Sequence, residues 1–362
     1  MLNLKNLSPK AFIDYIQNKD LYIFGSGELA ENCVDIYCEN KHVCALVDNN
    51  SKLWGTTKKM SNHSIDIISI DVFKKIVSEK KSDIVLLITP TFYAIEILEQ
   101  LDAISEFDGL ECFLHVIMRN TKSEVSNFEF TKGVQLIPKK IHYFWIGSNP
   151  LPKQFQEYVD GWKKINPEYE VIRWDESNYD FSKIAYMKEA YDNKAWAFAT
   201  DYARLDIIYQ HGGIYFDTDV EVVKSLDCML NDNAFFGFGC GDRIAIGVGF
   251  GAVPKHPIIK EMMTIYNDHH FVNSDGSFNK SACYYYQHPI MKKYGFKVNN
   301  QYQKINNIAL YPAEVMSPNG TGNMGDFYSD MTLSIHHSSN LWLTNEQKQS
   351  IMKMMNKANE RI

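Results

Sequence analysis

Nowhere in the 362 residues does an apolar run reach the length of a membrane span, and nowhere do Lys and Arg gather into a basic stretch. The first absence argues against a membrane-spanning helix within these residues. The second excludes a nucleic-acid footprint, and the formal charge of -7 agrees with it. Paired cysteines are lacking too. The seven Cys are scattered, odd in number and without a CxxC pair, which excludes a disulfide framework or zinc ribbon and favours reduced, buried thiols. The opening MLNLKNLSPKAFIDYIQNKD has no signal-peptide profile. The expectation is a cytoplasmic protein, with peripheral contact at the inner face of the membrane left open.

What is present falls into two rhythms. In the first third, short apolar strands alternate with amphipathic helices. SPKAFIDYIQN reads as a helix capped by Ser8 with Pro9 at its first position. LYIF, HVCALV and IVLLI read as buried parallel strands, with helices between them and LECFLHVIM closing the series. This order predicts an α/β unit, a small Rossmann-like parallel sheet domain spanning 1–133. The polar stretch RNTKSEVSNFEFTKG marks its end. Residues 134–362 carry more Gly, more aromatics and longer loops, and predict a second α/β domain around a mixed sheet.

Gly25, Gly27 and Ala30 form GxGxxA between a strand and a helix, and Asp48 closes the next strand. In a dinucleotide fold such glycines let the backbone approach a diphosphate, while the acid binds ribose hydroxyls. Glu28 stands inside the loop, where its charge opposes a phosphate, and no second half-sheet for a nicotinamide is visible. Two readings therefore remain. Gly25, Gly27 and Asp48 form a nucleotide site, or the glycines only pack the helix against the sheet.

The stretch AWAFATDYARLDIIYQHGGIYFDTDVEV concentrates charge where burial is expected. Asp201 and Arg204 stand three apart, on one face of a helix. Gly212 and Gly213 end that helix, and a short strand leads to Asp217 and Asp219, two carboxylates sharing a strand face. Like charges so close need a counter-charge. A divalent cation held by hard oxygen ligands supplies it, and Arg204 can fork onto an oxyanion. Taken singly, the helical pair reads as a structural ion pair and the DxD as a turn; the combination is the specific feature.

IPKKIHYFWIG, NPEYEVIRWD, AFATDYARLDIIYQHGGIYFDTDV and SIHHSSNLW, in this order, resemble glycosyltransferase family 32, over about Ile137 to Trp342. That family includes bacterial capsular and lipopolysaccharide sugar transferases and yeast mannosyltransferases. The resemblance implies a GT-A type domain, a nucleotide-sugar donor, Mn²⁺ or Mg²⁺, and retention of anomeric configuration. Carried over by motif, it implies that Trp145, Ile146 and Gly147 flank the donor base, with His142 either touching the donor or supporting the strand. Asp201, Arg204 and Asp217 bind the sugar and diphosphate, and Trp342 lies over the phosphates. Asp219 is the metal ligand, with Asp217 assisting and His336 or His337 completing the shell; adjacent strand residues point opposite ways, and His336 is preferred. The chain has Asn340 and Leu341 before Trp342 where a Ser-Trp pair is usual. YIFGSGELA with ALVDNN resembles the N-terminal nucleotide-sugar-binding domain of bacterial sugar acyltransferases.

The expected reaction is transfer of a hexose from a nucleotide sugar, such as UDP-glucose or UDP-galactose, to a hydroxyl of a surface-polysaccharide or lipid-linked glycan. The alternative is a nucleotide-sugar-binding regulatory or scaffold protein with a degenerate transferase domain; the intact acidic set argues against it. A nicotinamide oxidoreductase using Gly25 and Gly27 is the third reading.

Overall fold

The computed structural model describes residues 1–38, 41–60, 63–122, 127–240, 243–319, 327–339 and 345–362. The chain divides into one unit of Met1–Ser123 with Leu341–Ile362 and another of Glu124–Asn340. These limits differ from the expected 133/134 boundary. Phe128 and Phe130 account for the shift: in sequence they look isolated in a polar stretch, but both pack on Tyr311, and Phe128 stacks 4.5 Å from Tyr302. The C-terminal stretch, expected in the second domain, belongs to the first unit.

The first unit is a seven-stranded sheet. Its strands are β1 (Asn3–Lys5), β2 (Asp20–Phe24), β3 (Val43–Val47), β4 (Thr57–Met60), β5 (His63–Ile68), β6 (Ile84–Ile88) and β7 (Glu111–Leu114), in the order β1-β7-β6-β2-β3-β5-β4. All neighbours are parallel except β4 against β5. The strands therefore wind outward from β2 in both directions, which opens a crevice at their carboxyl ends. The helices are α1 (Pro9–Tyr15), α2 (Glu28–Tyr37), α3 (Ile70–Lys80), α4 (Ala94–Asp102) and α5 (His115–Met118). Ser8 caps α1 by accepting from the Ala11 N–H, and Ser69 caps α3 through Val72. LECFLHVIM, expected to close the series, comprises β7 and α5. The C-terminal helix Asn345–Asn359 contacts α4, and Arg361 just beyond it forks onto Asp102 at 2.7 and 3.2 Å.

The second unit has the mixed sheet. Its strands are β8 (Lys140–Phe144), β9 (Glu170–Trp174), β10 (Gly213–Tyr215), β11 (Val220–Val222), β12 (Ala234–Cys240), β13 (Arg243–Ile244), β14 (Phe250–Ala252), β15 (Gln303–Ile305), β16 (Ile308–Tyr311) and β17 (Ser334–His336). The main order is β15-β16-β12-β14-β10-β8-β9, with β13 on β12, and β11 pairs separately with β17. β9, β8 and β10 are parallel, and β14 runs against β10. The helices that concern the site are α6 (Lys153–Ile165), α7 (Ala185–Asp192), α8 (Trp196–His211), α9 (Pro257–Ile265) and α10 (Cys283–Lys293). Trp162 of α6 is fully buried and its indole N–H donates to the Val220 carbonyl at 2.8 Å, which fixes β11. The run ACYYYQHP, weighed as an acceptor platform or core, enters α10, with Tyr284 and Tyr286 buried.

Helix α8 is buried at every position from Ala199 to Ile208. A helix enclosed on all sides has no solvent for its polar groups, so Asp201, Arg204 and Asp206 must find partners inside. The helix stops at Gly212, whose φ is +65°; a Cβ there would lie 2.6 Å from Pro254 Cδ. Gly212→Ala is expected to lower stability by about 1–3 kcal/mol. Gly161, inside α6 with nothing within 4 Å of a built Cβ, supplies the contrast. Gly161→Ala should raise stability by roughly 0.5–1 kcal/mol, and urea unfolding of both variants checks the pair.

Candidate active site

Strands β8 and β10 lie side by side, with Ile214 opposite Ile141 and Tyr215 opposite His142. Being parallel, they carry Trp145–Gly147 and Asp217–Asp219 to the same edge of the sheet. The chain then turns, Val220 N–H donating to the Asp217 carbonyl, and enters β11. Asp217 and Asp219 therefore sit in a turn rather than on a strand face. β17 pairs with β11 so that His336 faces Val220, one residue from Asp219.

The convergence is tight. One ligand atom each from Asp217, Asp219 and His336 all lie within 4.8 Å of one another. His336 Nε2 is 3.4 Å from Asp219 Oδ1, and Asp219 Oδ2 accepts from the Ser339 N–H at 2.8 Å. The Asp219 carbonyl also accepts from the His337 N–H at 3.0 Å. Residues about 190 positions from the β8 loop thus close the site through backbone pairing.

Beneath this group lies Arg204. Its Nη2 is 2.7 Å from Asp201 Oδ1 and its Nη1 is 3.5 Å from Asp217 Oδ1. Nε donates to the Thr200 carbonyl at 3.1 Å, and the guanidinium lies 5.4 Å from the Tyr215 ring centroid. Tyr215 in turn donates its hydroxyl to Asp217 Oδ1 at 2.9 Å. Gly247 completes the cradle: a Cβ there would lie 2.7 Å from Asp217 Oδ2 and 3.3 Å from Arg204 Nη1.

Burial pushes the Asp201 carboxyl up, to about 7, with Arg204 opposing it. Burial also raises Asp217; Arg204 works against that shift and Asp219 adds to it. Burial opposes charge on Asp219 as well, but His336 and the Ser339 donors outweigh it and hold Asp219 well below the usual carboxylate range. Asp201 and Asp217 thus share the Arg204 guanidinium while Asp219 faces His336, and a divalent cation would balance the set. Two hard carboxylates and an imidazole suit Mg²⁺ or Mn²⁺. Bonds of roughly 2.1 Å need ligand atoms on the order of 3–4 Å apart, so the observed spacing needs only a small contraction.

Several expected site residues take other roles. His142 is fully buried; its Nδ1 accepts from the Trp174 indole N–H at 3.0 Å, leaving Nε2–H to donate to the Gly212 carbonyl at 3.0 Å. Both nitrogens are engaged, which corrects the donor-contact reading in favour of the support reading. His337, offered as a ligand, instead places Nε2 2.9 Å from Glu221 Oε2 and stacks on Tyr158 at 4.9 Å. Arg204 directs its donors to protein partners rather than to a free anion position. Trp145 donates its indole N–H to the Asn149 carbonyl, Ile146 is buried, and the Gly147 N–H donates to Glu176 at 2.6 Å. Trp342 lies outside the described residues. In the first unit, Gly25 has φ +97° and Gly27 caps α2. Asp48 accepts from the Ser26 hydroxyl and the Asn50 N–H. Sequence reasoning missed Gly247, Tyr215 and Ser339. The glycine spacing in RIAIGVGFGA was the signal for the first, and nothing marked the other two.

Two outcomes are expected. Asp219→Ala and His336→Ala should each weaken Mn²⁺ binding at least tenfold in equilibrium dialysis, whereas His337→Ala should leave it within about twofold. Burial depresses His142 to about 4 from an ordinary 6.5, with His211 and Lys140 adding to the shift, while the unfolded chain protonates it below 6.5. Its contribution to stability is therefore intact above pH 6.5 and declines as pH falls toward 4. The loss should be about 3 kcal/mol, and His142→Gln should flatten that part of the urea stability profile.

Residues 152–236 match a family described as a glycosyltransferase sugar-binding region containing the DXD motif. An uncharacterised glycosyltransferase of Acanthamoeba polyphaga mimivirus is 32% identical over 157 residues, 39% of this chain and 62% of the relative. Inositol phosphoceramide mannosyltransferase 1 of Schizosaccharomyces pombe is 27% identical over 150 residues, 38% of this chain and 45% of the relative. The chain thus spans less than two thirds of either relative's length. Among solved structures, a glycosyltransferase involved in glycosylation of the major capsid of PBCV-1 aligns over 59% of this chain and 98% of that chain, at 12% identity and a TM-score of 0.31. The family match contains Asp217 and Asp219, and the named relatives are a glycosyltransferase and a mannosyltransferase.

Proposed function

We propose that this protein is a metal-dependent, retaining glycosyltransferase moving a hexose from a nucleoside-diphosphate sugar to a hydroxyl of a glycan or lipid-linked acceptor. The observation that carries the reading is the Asp217–Asp219–His336 group standing over the buried Arg204–Asp201 pair. A mixed α/β sheet with this group at its edge fits a GT-A type domain. UDP-glucose and UDP-galactose are the first donors to consider, and the inositol phosphoceramide mannosyltransferase among the relatives adds GDP-mannose. A surface polysaccharide, such as a bacterial capsule, remains the acceptor class of choice.

Asp219, Asp217 and His336 would hold the cation. When bound, it would neutralise charge on the departing diphosphate. Arg204 acts one layer below by holding Asp217 in place, assisted by the Tyr215 hydroxyl, so that the carboxylate needs no reorganisation as charge develops. Trp145 and Gly147 border the same edge and are suited to flank a base. In the retaining scheme the bond from the anomeric carbon to the acceptor oxygen forms on the face from which the bond to phosphate breaks. The hydroxyl proton passes to a phosphate oxygen of the leaving group.

A donor panel tests this: UDP-glucose, UDP-galactose, UDP-N-acetylhexosamines and GDP-mannose, each with Mn²⁺ or with chelator, with released nucleotide quantified. Release from one donor should require metal and should fall about 10²–10³-fold in Asp219→Ala. Absence of calorimetric binding to every donor would overturn the reading.

A further inference from the structure

The first unit contains a second concave site, in a different unit from the metal group. A crevice of about 290 Å³ opens at the carboxyl ends of β2, β3 and β6, where the strand order diverges. Gly25, Asp48 and Tyr93 line it, and Asn49 and Gln100 exchange amide hydrogen bonds at 2.9 and 3.1 Å beside it. Its polar equipment is directional. A carboxylate offers roughly four lone-pair sites, and Asp48 uses two, for the Ser26 hydroxyl and the Asn50 N–H. Two acceptor positions remain, the number that a vicinal diol requires.

The apolar side suits a flat ring. Tyr93 is 68% exposed beside the crevice, and its sequence neighbour Phe92 is 42% exposed. Trp54, 43% exposed, donates its indole N–H to the Asp48 carbonyl, so a third open aromatic ring is tethered to the same loop. Exposed aromatics grouped at a concave, polar-lined site are what stacking recognition uses.

The electrostatics set the ligand's charge. Among the described residues no Lys or Arg lines the crevice, whereas Asp48 and Glu96 do. The first turn of α2, which in a dinucleotide fold would receive the diphosphate, carries Glu28 and Glu31. Lys58, bonded to the Ser26 carbonyl at 2.6 Å, is the ammonium at that loop. The carboxylates of Asp48, Glu96, Glu28 and Glu31 oppose a diphosphate, and they outnumber the ammonium groups of Lys58 at the loop and Lys357 near Glu96. The volume also lies at the small end of the ligand pockets of about 300–1,000 Å³ found in proteins, too small for a dinucleotide.

We propose that this crevice binds an uncharged nucleoside, with the ribose diol on Asp48 and the base against Tyr93, and that it rejects the corresponding diphosphates. The glycine loop then serves close packing: a Cβ at Gly25 would lie 2.9 Å from Thr89 Oγ1.

The test is calorimetric titration of uridine, adenosine and their 5′-diphosphates into the full chain, in wild type, Asp48→Asn, Tyr93→Ala, Glu96→Gln and Asp219→Ala. The expected result is nucleoside binding lost at least tenfold in Asp48→Asn and Tyr93→Ala but unchanged in Asp219→Ala. Diphosphates should bind this site at least tenfold more weakly, with the gap narrowing severalfold in Glu96→Gln. The exposed Tyr93 can be removed without disturbing the fold, so its variant remains informative if Asp48→Asn is unstable. No nucleoside binding at millimolar concentration, binding insensitive to Tyr93→Ala, or diphosphates binding to metal-free Asp219→Ala as tightly as nucleosides and in a Tyr93-dependent way would each overturn the proposal. Because the Asp219→Ala arm reports on the other unit, failure here leaves the transferase reading standing.

Discussion

The second unit is organised around one buried cation. Arg204 lies inside a helix with no solvent-facing side over its middle ten residues, and it bridges Asp201 and Asp217. Removing a guanidinium from water is costly, and removing one partner of such a pair leaves an uncompensated charge. The arrangement therefore holds only while helix α8, the turn after β10 and the Gly247 loop stay in register. Gly247 is glycine for a steric reason, since a side chain would displace the Asp217 carboxylate.

From that pair outward, the site is assembled by backbone geometry. Parallel pairing of β8 with β10 brings two loops to one edge, and the Trp162 indole holds β11 just beyond it. Antiparallel pairing of β11 with β17 then delivers His336. Within the outer group Asp219 differs from Asp217, whose carboxyl is pushed up by burial as that of Asp201 is. Asp219 is held charged by His336 and backbone donors, whereas burial opposes charge on Asp201. A cation held there would meet developed charge on Asp219 and would favour ionisation of Asp217, above a layer whose task is positioning.

The two units use one architectural rule with different electrostatics. In each, a loop region at the carboxyl ends of parallel strands carries the polar side chains. In the second unit the acids converge within a few ångströms and call for a divalent ion. In the first they are spread around a crevice beside exposed aromatic rings, where Asp48 accepts from the Ser26 hydroxyl and the Asn50 N–H.

Much of this was legible in the chain itself. Alternating apolar strands and amphipathic helices foretold the parallel sheet, because burial on both faces requires continuous apolar runs such as IVLLI. The Asp201–Arg204 spacing foretold the ion pair, and the glycine pair foretold the end of α8, because both depend only on local helix geometry. The choice between His336 and His337, the retirement of His142 into the core and the part played by Gly247 were not legible. Each depends on which strand pairs with which, and in what register. The transfer of the C-terminal helix to the first unit has the same origin: its contacts with α4 join residues more than 240 positions apart. The sequence determined the elements and the chemical types available; tertiary pairing alone decided which carboxylate meets which cation, because contacts between distant segments leave no periodic trace along the chain.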